Sequence, residues 1–400
     1  MAVLQREYGR RALLQQIRLS GRIPRIELAD KTGISRATVT TITAELLQSG
    51  LIEEVPRADG GDARRGRPRV DLKIRGAARL VAGVKISQHR LSLVLLDFEG
   101  SQLATLETDL PAPVLSPQQM AEAIGTAVAR LAETAGRSVE EVSGVGVGIA
   151  GLVEAGDGFV HWSPSLTDRN VQFGAVLAAE LGRPAFVDND ANLVAEAERL
   201  FGLGQSQSDF IVITIESGVG MGLVLGGELY RGSRGCGAEF GHTKVHLDGA
   251  LCRCGQRGCL EAYVADYALL REAAIVPGAD PTAEPAKRLE ALLKAARSGE
   301  PAAKSIVDRA GRMFAMGLAN LVNIFDPALI ILAGEQMQFD HLYADTVLGA
   351  IRTSIVQVDK PPPEVVIHKW GDLMWARGAA AYALDQVSDL ALAEIGDHAA

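Results

Sequence analysis

The sequence predicts an α/β protein, with an N-terminal winged helix-turn-helix followed by a larger body of two strand-rich lobes. Three observations predict it. Residues 11–50 read as three short helices with a glycine at the turn. Residues 51–74 read as a hairpin with an arginine-rich tip. Beyond residue 80 strands and helices alternate in two similar β-rich units. At 400 residues the chain exceeds one ordinary domain, and two or three are expected. With 48% hydrophobic and 22% charged residues it belongs among folded chains rather than disordered ones.

In the head, Ala12, Leu13, Leu14, Ile17 and Leu19 suit an amphipathic helix over Arg11–Ser20. A second helix fits Arg25 to about Lys31, with Pro24 near its first turn. Gly33 marks the turn, because glycine accepts the positive φ that ends many helices. Ser35 caps a third helix running to about Ser49. Val39, Ile42 and Leu46 face inward, which leaves Arg36, Ala37, Thr38, Thr40 and Thr41 on the outer side. A third helix of this kind enters the major groove, where arginine reaches guanine edges and threonine reaches bases or phosphates. Strands over Leu51–Val55 and Val70–Ile74 enclose Arg64, Arg65, Arg67 and Arg69, a basic wing tip suited to phosphate or a narrow minor groove.

Charge supports the division. Residues 1–80 hold 16 Lys and Arg against 9 Asp and Glu, a net of +7, whereas the rest holds 24 against 40, a net of −16. A basic head on an acidic body points to a polyanionic partner for the head alone. The N-terminus lacks an apolar segment followed by a small-residue cleavage site, and no apolar run reaches the ~18 residues that span a bilayer. The expectation is a cytoplasmic protein with no membrane partner.

In the body, strands fit Leu80–Ile86, Leu91–Asp97 and Leu103–Leu110, then a helix Pro117–Ala135 and a strand Val142–Ile149. A helix Gly174–Leu181, a strand Ala185–Val187 and a helix Ala191–Phe201 follow. The second unit begins near Asp209 with strands Phe210–Ile215 and Met221–Leu225. It continues with a helix Ala302–Ile324 and strands Leu329–Leu332 and Val365–His368, before a last helix Leu373–Asp385. Two such lobes suggest a cleft that receives a small ligand.

The clearest chemical signal is Gly241-His242, nine intervening residues, then Cys252-Arg253-Cys254-Gly255-Gln256-Arg257-Gly258-Cys259-Leu260-Glu261. His242, Cys252, Cys254 and Cys259 complete a closed tetrahedral Zn²⁺ shell, structural because no ligand position is left open. Without a secretory signal, clustered cysteines favour metal over disulfide. Cys236, outside the cluster, reads as a packing residue. Near this cluster Asn189, Asp190, Glu239 and Glu261 offer an amide and carboxylates that suit a polyhydroxylated ligand. Each also has a plain structural role open to it: Asp190 caps a helix, and Glu261 begins one.

These motifs resemble the ROK family (repressors, open reading frames and kinases), specifically its repressor branch, over residues 1 to about 387. Gly241-His242 with Cys252-x-Cys254-Gly255-x-x-Gly258-Cys259-x-Glu261 is similar to the family's zinc signature, and Asn189-Asp190 to its sugar-binding pair. The resemblance implies a two-lobed actin-like and hexokinase-like (RNase H-like) ATPase fold. It implies sugar bound by Asn189, Asp190, Glu239, His242 and Glu261, one structural zinc per chain, and a homodimer or homotetramer. Lobe 1 then covers 77–190 with the C-terminal helix 373–387, lobe 2 covers 191–372 with the zinc loop 242–261, and the head is 1–76. Two departures bear on activity and ligand. ROK kinases open the domain with an Asp-x-Gly-Gly-Thr-like phosphate loop, whereas here Gly83-Val84-Lys85-Ile86-Ser87-Gln88-His89 puts a lysine at the acid and lacks both glycines. Ser165-Leu166 stands where many relatives carry Asn-Leu. The second phosphate loop survives in part as Ser217-Gly218-Val219-Gly220, and the adenosine-site glycines as Ala333-Gly334-Glu335. The expected function is a sugar-responsive repressor that binds operator DNA and has no catalytic residues; the alternative is an ATP-dependent sugar kinase with a DNA-binding head.

Overall fold

The computed structural model describes residues 2–57, 70–334, 341–342, 345–356, 361–368 and 373–397. They form two units, one of residues 1–189 with 375–400 and the other of residues 190–374.

The first unit opens with α1 (Ala2–Ser20), α2 (Arg25–Thr32) and α3 (Arg36–Gln48), followed by the antiparallel pair β1 (Ile52–Pro56) and β2 (Val70–Ile74). Gly33 ends α2 at φ 69° with its N–H on the Ala29 carbonyl, a left-handed cap that glycine enters without strain. The Ser35 hydroxyl accepts the Thr38 N–H and caps α3. Leu13, Leu14, Ile17, Leu28, Val39, Ile42 and Leu46 are buried as one small core. Ile23 exchanges two backbone hydrogen bonds with Leu72, which ties the hairpin to the helices. α1 begins at Ala2 rather than at Arg11. Among its described residues before Arg11, Gly9 packs against Ile42 and buried Arg10 bonds Glu45.

The sheet of this unit has the order β5-β4-β3-β6-β9. It is built from β3 (Leu80–Ile86), β4 (Arg90–Asp97), β5 (Gln102–Asp109), β6 (Val142–Ile149) and β9 (Ala185–Asn189). The first three form an antiparallel meander, while β6 and β9 join in parallel. Between β6 and β9 the chain makes the hairpin β7 (Leu152–Glu154) and β8 (Phe159–Trp162), a pair absent from the sequence expectation. One sheet face carries Ala82, Val84, Val145 and Val147, packed with α4 (Pro117–Thr134) and α5 (Phe173–Leu181). Successive strand residues point to opposite faces. Gly83, Lys85, Gly144 and Gly146 therefore share the other face. There α12 (Met374–Asp397) lies so close that a Cβ at Gly83 or Gly146 would sit 2.0 Å or 1.9 Å from a backbone carbonyl of that helix. α12 runs beyond the Asp385 expected from the sequence.

The second unit repeats the plan, with order β12-β11-β10-β13-β14. α6 (Asp190–Phe201) precedes β10 (Phe210–Ile215), β11 (Val219–Leu225) and β12 (Glu228–Tyr230), again an antiparallel meander. α7 (Glu261–Val264), α8 (Asp266–Ala273), α9 (Pro285–Arg297) and α10 (Pro301–Phe325) follow, then β13 (Leu329–Ala333), α11 (Asp345–Ser354) and β14 (Glu364–Ile367), with β13 and β14 parallel in the sheet. Ile211, Ile213, Ile215, Met221 and Leu223 face a core completed by α7 to α10. Fully buried Glu198 on α6 accepts the Leu203 N–H and lies 2.6 Å from His368 Nδ1.

Candidate functional site

On α3 the residues Ser35, Arg36, Ala37, Thr38, Thr40 and Thr41 are all exposed, while Val39, Ile42 and Thr43 face inward. Thr40 and Thr41 hydroxyls donate to the Arg36 and Ala37 carbonyls one turn back, which fixes their rotamers on the helix surface. Arg10 and Arg6 both bond Glu45 and hold α1 to the back of α3. Burial alone would raise the Glu45 carboxyl, but the hydrogen bonds from Arg6 and Arg10 outweigh it and hold the group below 4.5. The four wing arginines, Arg64, Arg65, Arg67 and Arg69, lie outside the described residues.

In the second unit His242, Cys252, Cys254 and Cys259 bring four ligand atoms within 4.8 Å of one another. Cys252 Sγ lies 3.7 Å from His242 Nδ1, and Cys254 Sγ lies 3.7 Å from Cys259 Sγ. Metal–sulfur bonds of ~2.3 Å in a tetrahedron give edges of about 3.8 Å, so the spacing and the thiolate-rich donor set fit a tetrahedral metal ion. The backbone explains the convergence. Leu251 and Arg257 form one antiparallel bridge, Lys244 and Cys259 another. Gly258 turns between them at φ 78°, and a Cβ there would sit 1.6 Å from the His246 carbonyl oxygen. Burial pushes the Cys252 thiol up, and the neighbouring Glu261 adds to the shift. A cation is the charge that would reverse this and keep all three sulfurs as thiolates. Cys254 is exposed, whereas Cys252 and Cys259 are buried.

Beside this cluster stand three carboxylates of the same unit. Glu239 is pushed up to about 7, first by burial, then by the negative charges of Glu261 and Asp190. Glu239 also lies 4.0 Å from His242 Nε2, on the ring edge away from the sulfurs. Asp190 opens α6 and accepts the N–H of the next residue, Ala191, at 2.9 Å. Glu261 opens α7 and accepts the N–H of Val219, the first residue of β11, at 3.2 Å. Asn189 ends the first unit; its amide donates to the Gly151 carbonyl at 2.8 Å.

Two interactions around these residues escaped the sequence reading. The Tyr267 hydroxyl lies 3.5 Å from Cys252 Sγ and 3.3 Å from Glu261, which links the cysteine cluster to the carboxylates. Lys85, in the first unit, holds its ammonium 3.6 Å from the centre of the Trp375 ring. No local signal announces Lys85 with Trp375, which lie far apart in sequence, and Tyr267 reaches its partners through the short turn that joins α7 to α8 rather than through a helical or strand period.

Comparison with known proteins agrees with this architecture. The chain is 28% identical over 363 residues to the N-acetylglucosamine repressor of Escherichia coli O6:H1, covering 88% of this chain and 87% of the relative. It is 32% identical over 318 residues to a glucokinase of Streptomyces coelicolor, covering 75% of this chain and 96% of that one. A crystal structure of a ROK family transcriptional regulator, described as a homolog of the E. coli MLC protein, superposes with a TM-score of 0.82 at 25% identity, covering 98% of this chain and 99% of that one. A winged helix-turn-helix DNA-binding model matches residues 10–53. A ROK family model matches residues 81–386, and with the repeated sheet plan in place the chain belongs to the ROK family.

Proposed function

We propose that the protein is a sugar-responsive, DNA-binding transcriptional repressor of carbohydrate-metabolism genes, cytoplasmic and working as a homodimer or homotetramer. The observation that carries the reading is the exposed face Ser35 to Thr41 of a capped α3 in the same chain as a ROK domain. The third helices and the wing arginines grip operator DNA, with Arg36 reading base edges and Arg64, Arg65, Arg67 and Arg69 meeting the backbone or minor groove. Asn189, Asp190, Glu239, His242 and Glu261 hold the sugar, whose hydroxyls donate to carboxylates and accept from the amide and imidazole. The relatives described as a sugar-derivative repressor and as a ROK regulator support this assignment. His242, Cys252, Cys254 and Cys259 hold one structural zinc ion, which braces the loop that presents Glu261. The head is residues 1–76. Residues 77–190 with 373–387 make one lobe and 191–372 the other. A sugar alters operator affinity only if it binds the DNA-competent and DNA-incompetent conformations unequally.

A gel shift with the DNA upstream of the protein's own gene, titrated with xylose, glucose and N-acetylglucosamine, tests this. One sugar is expected to change the apparent Kd, and Asp190→Asn to abolish the change. Absence of binding to any duplex at low ionic strength would defeat the reading.

The relationship to a glucokinase favours a second reading, an ATP-dependent sugar kinase carrying a DNA-binding head. Lys85 weighs against it. A cation held on Trp375 at the position of the kinase acid disfavours Mg²⁺–triphosphate there. ATP-dependent phosphorylation across the same sugar panel, at ordinary kinase rates, would reverse the preference.

A further inference from the structure

The zinc assignment leaves a charge to be balanced. Three thiolates and a neutral imidazole around Zn²⁺ carry a net charge of −1. Two of the four ligands, Cys252 and Cys259, are buried, and a buried charge is costly unless donors meet it. The donors differ from sulfur to sulfur. Cys252 takes the Cys254 N–H and the Tyr267 hydroxyl, and Cys254 takes the Gln256 N–H, all of them neutral. Cys259, fully buried, takes the Lys244 ammonium at 3.0 Å.

The backbone fixes that placement. Lys244 and Cys259 face each other across an antiparallel bridge. Around it Val245 N–H bonds the Gly258 carbonyl at 2.9 Å, and Leu260 N–H bonds the Thr243 carbonyl at 3.0 Å. Lys244 is therefore delivered to Cys259 by the same knuckle that gathers the cysteines, two residues beyond the ligand His242. Its stem is exposed, so an ordinary surface lysine would gain little from a single ion pair. The acceptor here is different: a fully buried thiolate, in a cluster with an unbalanced negative charge.

We propose that Lys244 is a positioning residue of the metal centre: its ammonium hydrogen-bonds the Cys259 thiolate, neutralises the excess charge of the Zn(Cys)3(His) cluster and holds the ion against release. The inference rests on the zinc assignment above. It makes Lys244 as necessary for metal retention as an outer partner of a ligating histidine is elsewhere, where loss costs 10–100-fold in affinity. An arginine keeps the charge and a donor, a glutamine keeps a donor without charge on a side chain one atom shorter, and a methionine keeps only an uncharged stem.

The experiment measures zinc content of the full-length protein by elemental analysis. It then measures the zinc Kd by competition with a coloured chelator, and the rate of zinc release by a mercurial, for wild type, Lys244→Met, Lys244→Gln and Lys244→Arg. Circular dichroism of each zinc-loaded variant checks the fold. The expected result is about one zinc per wild-type chain, a Kd at least ~10-fold weaker with faster release for the Met and Gln variants, and near-wild-type values for Arg. Near-wild-type Kd and release in Lys244→Met or Lys244→Gln would overturn the role of Lys244 while leaving the zinc site standing. An Arg variant as weak as Met would overturn charge balance as its cause. Wild-type protein that neither contains nor takes up zinc would overturn the metal assignment itself.

Discussion

Arg36 occupies the first turn of α3 behind the Ser35 cap, exposed and aimed outward with Thr40 and Thr41. A good arginine–guanine contact is worth ~1–3 kcal/mol, so Arg36→Ala is expected to weaken operator binding roughly 10- to 100-fold at fixed salt. Fluorescence anisotropy checks this, and an unchanged Kd would remove this helix from the groove. Glu45 acts behind the same helix. Its carboxyl is held below 4.5 in the folded head, so the stability it contributes is present above that pH and is lost as pH falls through the lowered folded value. Glu45→Gln leaves Arg10, 3% exposed, without its carboxylate. At pH 7 the opening free energy of α1 and α3 in hydrogen exchange should fall by ~1–3 kcal/mol, and the gap to wild type should narrow below pH 4.5. Arg36 was legible from a cap and a helical period, both local. The burial of Arg10 was not, because a charged residue is buried only when a distant partner, here Glu45, meets it.

Among the elements, α12 shows how a sheet face selects its neighbour. Gly83, Gly144 and Gly146 leave that face flat, and the helix backbone rests on it. Gly146→Ala would force a Cβ to within 1.9 Å of the Ala379 carbonyl oxygen. Overpacking of this kind costs ~1–3 kcal/mol, so a clear drop in Tm is expected in thermal denaturation. A variant as stable as wild type would mean that α12 does not pack as described. The alternation of glycine with valine in β6 was visible in the sequence as a strand; that its glycine face receives the C-terminal helix was not. The segment after Cys259 was harder still. α7 has four residues and α8 eight, too short for a periodic signal, although Leu289, Leu292 and Leu293 in α9 do carry helical spacing.

On the scale of the whole molecule the head meets the body of its own unit at several polar contacts, among them Lys73 with Glu99 at 2.9 Å, and Arg18 makes the most of them. Arg18, at the end of α1, donates to the Phe98 carbonyl and to Ser388 on α12, stacks on the Phe98 ring and lies 3.9 Å from Asp385. Arg11 adds an ion pair to Asp389. Through Arg18 and Arg11 the helix α12 touches the head directly, which makes this junction a place where coupling can be tested. Arg18→Ala is therefore expected to keep operator binding and the sugar-induced rise in Tm, while the ratio of operator Kd with and without sugar, of the order of 5- to 150-fold in coupled systems, falls toward one. Anisotropy titrations with and without the effector would decide it; an undiminished ratio would show that coupling takes another route.

The amino-acid order alone determined the capped and glycine-turned helices of the head, the strand runs of both units and the cluster of His242, Cys252, Cys254 and Cys259. The caps, turns and strand runs are written in residues a few positions apart, where backbone conformation is a local property, and the cluster is written in residue types rather than in contacts. Only the tertiary structure decided that Lys85 rests on Trp375, that Arg18 meets Asp385 and Ser388, and that Lys244 serves Cys259. Those pairs are chosen by strand register and by the close packing of helices on sheets, and neither is encoded near the residues that meet.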